Sequence, residues 1–156
     1  DSCELHGEGV KHVPPLLCVQ GDSMTQLQQS ASQLKSALAA ALQTKHAHIG
    51  AIFLAPPWGG ELYSSRTPSL AAISVQGDSQ AFDGCDIFWC AAQAADTVLY
   101  YLPRQCSLDA VLRELSAHSA ADRSLAPDCP GVSVQWKPIT SHGEKVIAKL
   151  LVVCWT

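Results

Sequence analysis

The residues best suited to chemistry lie in one short segment, the nonapeptide from Ala55 to Tyr63, which reads Ala-Pro-Pro-Trp-Gly-Gly-Glu-Leu-Tyr. It directly follows the apolar run from Ile49 to Leu54. The two prolines fix φ at about −65° and remove two amide donors, so the chain cannot continue a sheet there or begin a helix in the usual way. The glycines after Trp58 allow a ligand to approach the backbone closely. The pattern predicts a catalytic loop at the end of a buried strand, with the face of Trp58 open to a ligand.

Most of this loop matches a known signature. It resembles the Ser-Pro-Pro-Trp-Gly-Gly loop, shortly followed by tyrosine, of the trimethylguanosine synthase family, through Pro56, Pro57, Trp58, Gly59, Gly60 and Tyr63. Ala55 stands where that family has a serine. Further segments resemble the family in order and spacing, namely Cys3–Gly7, Leu16–Asp22, Asp83–Phe88 and Val98–Arg104. The sequence departs from the family over Thr25–His48 and Ser64–Ala81.

The resemblance implies a function and a fold. Enzymes of this family use S-adenosylmethionine to methylate N2 of the 7-methylguanosine cap on small nuclear and nucleolar RNAs. The chain is therefore expected to be the carboxyl-terminal part of a Rossmann-like methyltransferase domain within a longer protein. Capped RNA is the expected partner, S-adenosylmethionine the expected cofactor, and the nucleus, the cytoplasm or both the expected location.

The residues implied to be catalytic are those of the loop itself. Pro56 and Pro57 would orient the guanine amine through rigid backbone carbonyls, in a site that excludes water and holds the reacting atoms about 3–3.5 Å apart. Trp58 would stack on 7-methylguanine, a delocalised cation, with about 0.5–2 kcal/mol of cation–π attraction. The alternative for Trp58 is a packing role that anchors the loop. Because Ala55 has no acceptor, orientation of the amine would depend on the backbone carbonyls.

Three further residues are implied to bind ligands. Asp22 would contact the adenine amine of S-adenosylmethionine, and Arg104 would meet a cap phosphate through a bidentate contact. Tyr63 would close over the cap. Each also has a plainer alternative: Asp22 is a turn residue after a strand, Arg104 is a solvated loop arginine, and Tyr63 packs.

No metal site is predicted. His46 and His48 form a pair without a third and fourth ligand, which is usually solvated. Cys85 and Cys90 have the wrong spacing for a zinc knuckle, and Cys90 is expected to lie in the core. The other three tryptophans are interpreted as packing residues, namely Trp89, Trp136 and Trp155.

Composition limits the class of protein. The chain has 156 residues, enough for one core, so residues 1–156 are expected to form a single, partial methyltransferase-like domain. The net charge is −4 and the ten basic residues are scattered, so the chain is expected to recognise the cap while something else holds the RNA body. Seven cysteines without paired spacing indicate reduced thiols. No apolar run approaches the roughly 20 residues of a membrane span.

Hydrophobic periodicity predicts the elements that position these residues. Strands are predicted at Leu16–Gln20, Ile49–Leu54, Thr97–Leu102, Val132–Trp136 and Val146–Trp155. Helices are predicted at Thr25–Thr44, Phe82–Asp96 and Leu108–His118, the last capped by Ser107. Loops are predicted at Ser64–Gln80 and Asp122–Gly131. The strand before Ala55 is expected to be of the parallel type that is covered on both faces.

The order of these elements predicts an α/β fold, a doubly wound sheet with an antiparallel terminal hairpin. Asp22, Trp58 and Arg104 each follow a strand end, so they are expected to share the rim where such sheets bind ligands. The Gly-rich turn and acidic strand tip that normally open a nucleotide-binding fold are missing, so the sheet is expected to lack its first strands. The chain is then a fragment, pairs its strands differently or is completed by another polypeptide.

Two other functions stay open at this point. The first is a methyltransferase of another planar amine, adenine or an amide, since related Pro-Pro-aromatic loops also serve those substrates. The second is a degenerate, non-catalytic cap-binding or structural module. Ala55 and the missing cofactor half favour the second alternative.

Overall fold

The computed structural model describes residues 31–41, 43, 45, 48–58, 68–76, 80–118, 125, 131–141 and 145–155. Its helices are α1 (Ala31–Ala41), α2 (Gly84–Ala94) and α3 (Leu108–Ala117), with a 3-10 turn at Leu70–Ala72. Its strands are β1 (Ala51–Leu54), β2 (Val75–Gln76), β3 (Ala81–Phe82), β4 (Thr97–Pro103), β5 (Val132–Thr140) and β6 (Val146–Trp155). Within these ranges no helix has both the length and the apolar character needed to cross a membrane.

Four strands form one mixed sheet in the order β1-β4-β6-β5. β1 runs parallel to β4, and β4, β6 and β5 pair antiparallel in turn. The predicted terminal hairpin is confirmed, although β5 runs to Thr140 and does not end at Trp136. Pro138 is tolerated inside β5 because this strand lies at the end of the described sheet, where a missing amide donor breaks no central ladder.

Polar side chains fix where two of the predicted helices begin. Asp83 Oδ1 accepts from the backbone N–H groups of Cys85 (2.8 Å) and Asp86 (2.9 Å), and the Asp86 carboxylate accepts from the Asp83 N–H in return (3.1 Å). This capping box satisfies amides that lack an intrahelical partner. Ser107 caps α3 by accepting from the N–H of Ala110 at 3.3 Å. Both helix starts therefore follow from the local sequence.

The core lies on one face of the sheet. Alternate residues of β4 and β6 point into it and are fully buried, namely Val98, Tyr100, Leu102, Leu151 and Val153. Helix α2 packs on β4, and α3 packs on α2, so the helical side of the core comes mainly from Ile87, Phe88, Ala91, Val111 and Leu115. Each fully buried aliphatic side chain contributes about 1.5–3 kcal/mol relative to an exposed one.

The opposite face of β1 is exposed, and the prediction of a strand covered on both faces is therefore wrong for the described structure. The side chain of Phe53 is 61% exposed, whereas that of the next residue, Leu54, is buried. In the described sheet β1 pairs only with β4, and the core cluster that Leu54 joins lies on the other face. A short apolar run cannot by itself show whether one face or both are covered.

The segment predicted as a loop from Ser64 to Gln80 holds regular structure in its described part, which corrects that prediction. The 3-10 turn buries Leu70, Ile73 follows it into the core, and β2 pairs with β3. Glu114 of α3 accepts from the Ser69 hydroxyl at 2.8 Å and from the Leu70 N–H at 2.7 Å. The donors of the turn are satisfied by a carboxylate that is distant in sequence, so the local composition of residues 64–80 does not predict the turn.

The remaining predictions fall partly outside the described residues. The helix predicted over Thr25–Thr44 is confirmed over Ala31–Ala41, and it is followed by Gln43 with a left-handed φ of 53°. The strand Leu16–Gln20 lies outside the described residues, as does most of the loop Asp122–Gly131. Described cysteines are free thiols, as expected: Cys85, Cys90, Cys106 and Cys154.

Gly84 leaves no room for a side chain. A Cβ there would lie 2.6 Å from Ile73 Cδ1, 2.8 Å from the Leu70 carbonyl oxygen and 2.9 Å from the Tyr100 hydroxyl oxygen. We expect Gly84→Ala to lower the free energy of unfolding by about 1–3 kcal/mol, as overpacking does. Urea denaturation measures the change. Gly50→Ala is the matched control, since a Cβ there would meet nothing within 4 Å, and equal losses in the two variants would contradict the prediction.

Candidate active site

Parallel pairing brings the two predicted site segments to one edge of the sheet. Leu54, the last residue of β1, lies opposite Tyr100 of β4, and β4 ends three residues later at Pro103. The carboxyl ends of parallel strands meet at the same edge, where sheets of this type bind ligands. The loop residues Pro56, Pro57 and Trp58 and the turn residue Arg104 therefore lie at one edge of the sheet, whereas Asp22, which the sequence also assigned to this rim, lies outside the described residues.

Trp58 is held at this rim by a second aromatic ring. Its indole is partly buried, and its centroid lies 6.1 Å from that of Tyr100 at an interplanar angle of 40°. The indole Nε1 is buried and has no acceptor among the described residues. Among the described residues, therefore, packing against Tyr100 orients the indole, and no hydrogen bond does.

Tyr100 is in turn locked into the core. Its ring stacks on Phe88 with centroids 6.0 Å apart and planes 21° apart, and its hydroxyl donates to the Gly84 carbonyl at 3.0 Å. Burial raises the pKa of this hydroxyl well above its ordinary value, with the thiol of Cys85 and the carboxylate of Asp83 adding to the effect. The hydroxyl therefore stays protonated and keeps donating, and it offers no general base to the rim.

A tight turn presents Arg104. The Cys106 N–H donates to the Pro103 carbonyl at 3.1 Å, which closes the turn and leaves Arg104 exposed. The ammonium of Lys149 donates to the Cys106 carbonyl at 2.6 Å and lies 5.5 Å from the centroid of Trp136. No described carboxylate pairs with Arg104, whereas Lys149 is engaged in holding the turn.

The described part of the rim offers positioning and no acid–base chemistry. Residues 55–58 carry no titratable side chain. Burial raises the pKa of the nearby Cys106 thiol to about 11, partly offset by the ammonium of Lys149. Burial also raises the pKa of the Cys90 thiol. Protonated thiols are poor nucleophiles, so the site suits a reaction whose electrophile arrives already activated.

Sequence reasoning missed the residues that support the rim. Tyr100, Gly84 and Lys149 fix the positions of Trp58 and Arg104, yet nothing in their local sequence sets them apart. For Tyr100 the alternation of β4 could have predicted burial, because Tyr100 lies on the core face of the strand and Tyr101 lies on the other face. Asp22 and Tyr63 lie outside the described residues, so their assigned roles stay predictions.

The other predicted residues are placed as follows. His48 Nε2 lies 2.7 Å from an Asp96 carboxylate oxygen, with both side chains more than half exposed, as a solvated histidine would be. Trp89 is buried and donates from Nε1 to the Leu115 carbonyl at 3.0 Å, which confirms its packing role. Trp136, Trp155 and Cys90 are each partly buried and pack against the core, as predicted.

The fold and the rim define a class. The protein has a mixed α/β sheet with a parallel strand pair, whose carboxyl ends present a rigid loop with an aromatic ring and an exposed arginine beside it. This architecture is consistent with a methyltransferase fold. No curated protein matches the chain.

A comparison with protein families gives the particular family. A family model described as RNA cap guanine-N2 methyltransferase matches residues 11–152, nearly the whole chain. The chain belongs to this family of enzymes, which confirms the resemblance carried by the Pro-Pro-Trp-Gly-Gly loop.

The support that Tyr100 gives to the rim can be tested by removing one oxygen atom. We expect Tyr100→Phe to lower the free energy of unfolding by about 1–3 kcal/mol, since the buried Gly84 carbonyl loses its hydrogen bond from the hydroxyl. Tyr101→Phe is the control, because Tyr101 lies on the other face and donates no described hydrogen bond. Denaturant unfolding of both variants decides the point, and a loss in Tyr101→Phe as large as in Tyr100→Phe would contradict the assignment.

Proposed function

We propose that the chain methylates N2 of the 7-methylguanosine cap of small nuclear or nucleolar RNA, with S-adenosylmethionine as the methyl donor. In this proposal it forms the carboxyl-terminal part of a Rossmann-like domain in a longer protein of the nucleus, the cytoplasm or both. The observation that carries the proposal is Trp58, a partly exposed indole at the carboxyl end of β1, supported from below by Tyr100. Family membership adds the reaction class.

In the proposed complex Trp58 recognises the cap. The 7-methylguanine base carries a delocalised positive charge, and stacking on indole adds about 0.5–2 kcal/mol to the contact. A ring held only by packing is well suited to this, because its orientation is fixed before the ligand arrives. Preorganisation of this kind reduces the entropy lost on binding.

The proposed methyl transfer depends mainly on aligning the guanine amine with the methyl group of the donor. S-adenosylmethionine, when bound, supplies a methyl group on a sulfonium that is already an excellent leaving group. The described residues fit such a donor, because residues 55–58 hold no acid or base and the buried thiols nearby stay protonated. Pro56 and Pro57 would direct their backbone carbonyls at the amine protons and keep its lone pair in line with the methyl carbon.

Electrostatics supports the assignment of Arg104, and the roles of Tyr63 and Asp22 complete the proposal. Arg104 is exposed, unpaired among described residues and presented at the same rim, as a residue that binds a cap phosphate must be. Tyr63 would close over the base, and Asp22 would contact the donor's adenine amine. With a net charge of −4 the chain has little attraction for an RNA body, so the proposed specificity rests on the cap.

The uncovered side of β1 supports the proposal that the sheet lacks its first strands. β1 pairs with β4 alone in the described sheet, and its Phe53 side chain is 61% exposed. An open apolar edge is a known aggregation hazard that proteins cover. In this proposal an upstream half of the same protein, or another polypeptide, pairs there and supplies the Gly-rich turn for the cofactor.

Cap discrimination tests the role of Trp58. The unaltered chain should prefer 7-methylguanosine diphosphate over guanosine diphosphate by roughly 2- to 30-fold, the affinity ratio that corresponds to the cation–π term. Trp58→Ala should lose this preference, and Trp58→Phe should keep part of it. Calorimetric titration with the two nucleotides gives the ratio. Trp136→Phe, which keeps an aromatic ring beside Lys149, is the control, and undiminished preference in Trp58→Ala would refute the assignment.

A substitution at Ala55 tests whether the protein is a catalyst or a non-catalytic cap-binding module. We expect Ala55→Ser to raise the rate of methyl transfer by roughly 10-fold, since about 1.4 kcal/mol is typical of one well-placed hydrogen bond to the amine. Ala55→Val, which adds bulk and no acceptor, is the control. The measurement is transfer of a radiolabelled methyl group to 7-methylguanosine-capped RNA by the longer protein that this proposal requires, with and without the substitution. Cap binding without transfer in both the unaltered longer protein and its Ala55→Ser variant would favour the non-catalytic alternative.

A further inference from the structure

Three side chains with metal-binding atoms meet where α2 begins and α3 ends. They are Asp83, Cys85 and His118, whose ligand atoms all lie within 4.8 Å of one another. Asp83 Oδ2 is 3.5 Å from His118 Nε2. Two ligands bound at about 2.0 Å to one tetrahedral zinc ion stand about 3.3 Å apart, which is close to this spacing. None of the three residues belongs to the loop 55–58 or to the turn that carries Arg104.

The imidazole of His118 is already oriented for a cation. Its Nδ1 lies 3.2 Å from the Glu114 carbonyl oxygen, and because a carbonyl can only accept, Nδ1 is the donor. Its Nε2 is left to face the carboxylate of Asp83. An Nδ1–H bonded to a backbone carbonyl is the usual arrangement of a histidine that binds metal through Nε2.

Acidic groups lie around the cluster. The carboxylates of Asp83, Asp86 and Glu114 are all near the buried thiol of Cys85. They accept from hydrogen-bond donors at the start of α2 and at the turn of Leu70, but among the described residues no lysine or arginine pairs with them. A bound dication is attracted by these carboxylates and stabilises a thiolate ligand.

We propose that Asp83, Cys85 and His118 bind a zinc-like divalent cation, with water as the fourth ligand. Sulfur, imidazole nitrogen and carboxylate oxygen form a donor set that suits zinc, and the His118 side chain is 43% exposed, which leaves a solvent-facing position. Asp83 coordinates through Oδ2 while its Oδ1 continues to cap α2. Neutral His118 gives a lone pair, and the thiol proton of Cys85 passes to solvent as the metal–sulfur bond forms.

The proposed ion joins two helices that support the rim. It connects the first turn of α2 to the end of α3, and the Gly84 carbonyl in that first turn accepts the Tyr100 hydrogen bond. Binding to the folded state alone stabilises that state by mass action. The proposal goes beyond cap methylation and assigns no catalytic role to the ion.

Cobalt(II) is the probe, because a thiolate ligand to cobalt gives a charge-transfer band in the near ultraviolet. The reduced, metal-free 156-residue chain is expected to show this band, to release one proton per ion and to lose the band when zinc is added. Cys85→Ser should abolish it, whereas Cys90→Ser, on the same helix but outside the cluster, should keep it. His118→Asn should weaken cobalt binding by at least roughly 10-fold, since even indirect partners of metal ligands cost that much.

His48→Asn is the matched control for histidine, because His48 also pairs with an aspartate, Asp96, and has no place in the cluster. Far-ultraviolet circular dichroism shows whether each variant is folded. The His118→Asn variant changes an exposed side chain, so it tests the site without altering the core. A band that survives in folded Cys85→Ser would overturn the proposal, as would a band lost equally in His48→Asn. A folded chain with no band would show that His118 and Asp83 form an ion pair only.

Discussion

The buried ring of Tyr100 connects every part of the described structure that matters to the rim. Its hydroxyl bonds to the Gly84 carbonyl in the first turn of α2, its ring stacks on Phe88, and Trp58 packs against it. Burial keeps the hydroxyl protonated, so the contact persists over the ordinary pH range. Helix α2, strand β4 and the loop after β1 therefore all contact the same buried ring.

A site built this way favours positioning over proton transfer. The described loop has no titratable side chain, and the thiol of Cys106 in the adjacent turn stays protonated. The ammonium of Lys149 is engaged with the Cys106 carbonyl and the Trp136 ring. Such a rim suits the family's reaction, in which an amine of guanine must be aligned and water excluded. Among the described residues, Arg104 is an exposed cation at this edge with no carboxylate partner.

Membership of the family indicates which reaction to expect, whereas a difference from the family at a single residue bears on how well the site performs that reaction. The match over residues 11–152 establishes descent and reaction class. Ala55, which offers no side-chain acceptor, stands where the resembling loop has a serine, and this difference bears on how well the amine would be aligned in the proposed reaction.

Local pattern predicts the loop, a helix that starts near Asp83 or Asp86, the Ser107 cap, the hairpin and the family. Caps, alternation and the fixed φ of proline act over a few residues and can be read directly. The structure was needed to show that Asp83 is the cap of α2. Tertiary contacts were needed to show that Tyr100 supports Trp58, that Glu114 satisfies the turn at Leu70 across 44 residues, and which face of β1 is covered. Those contacts join residues distant in the chain, and hydrophobic character alone does not specify a partner.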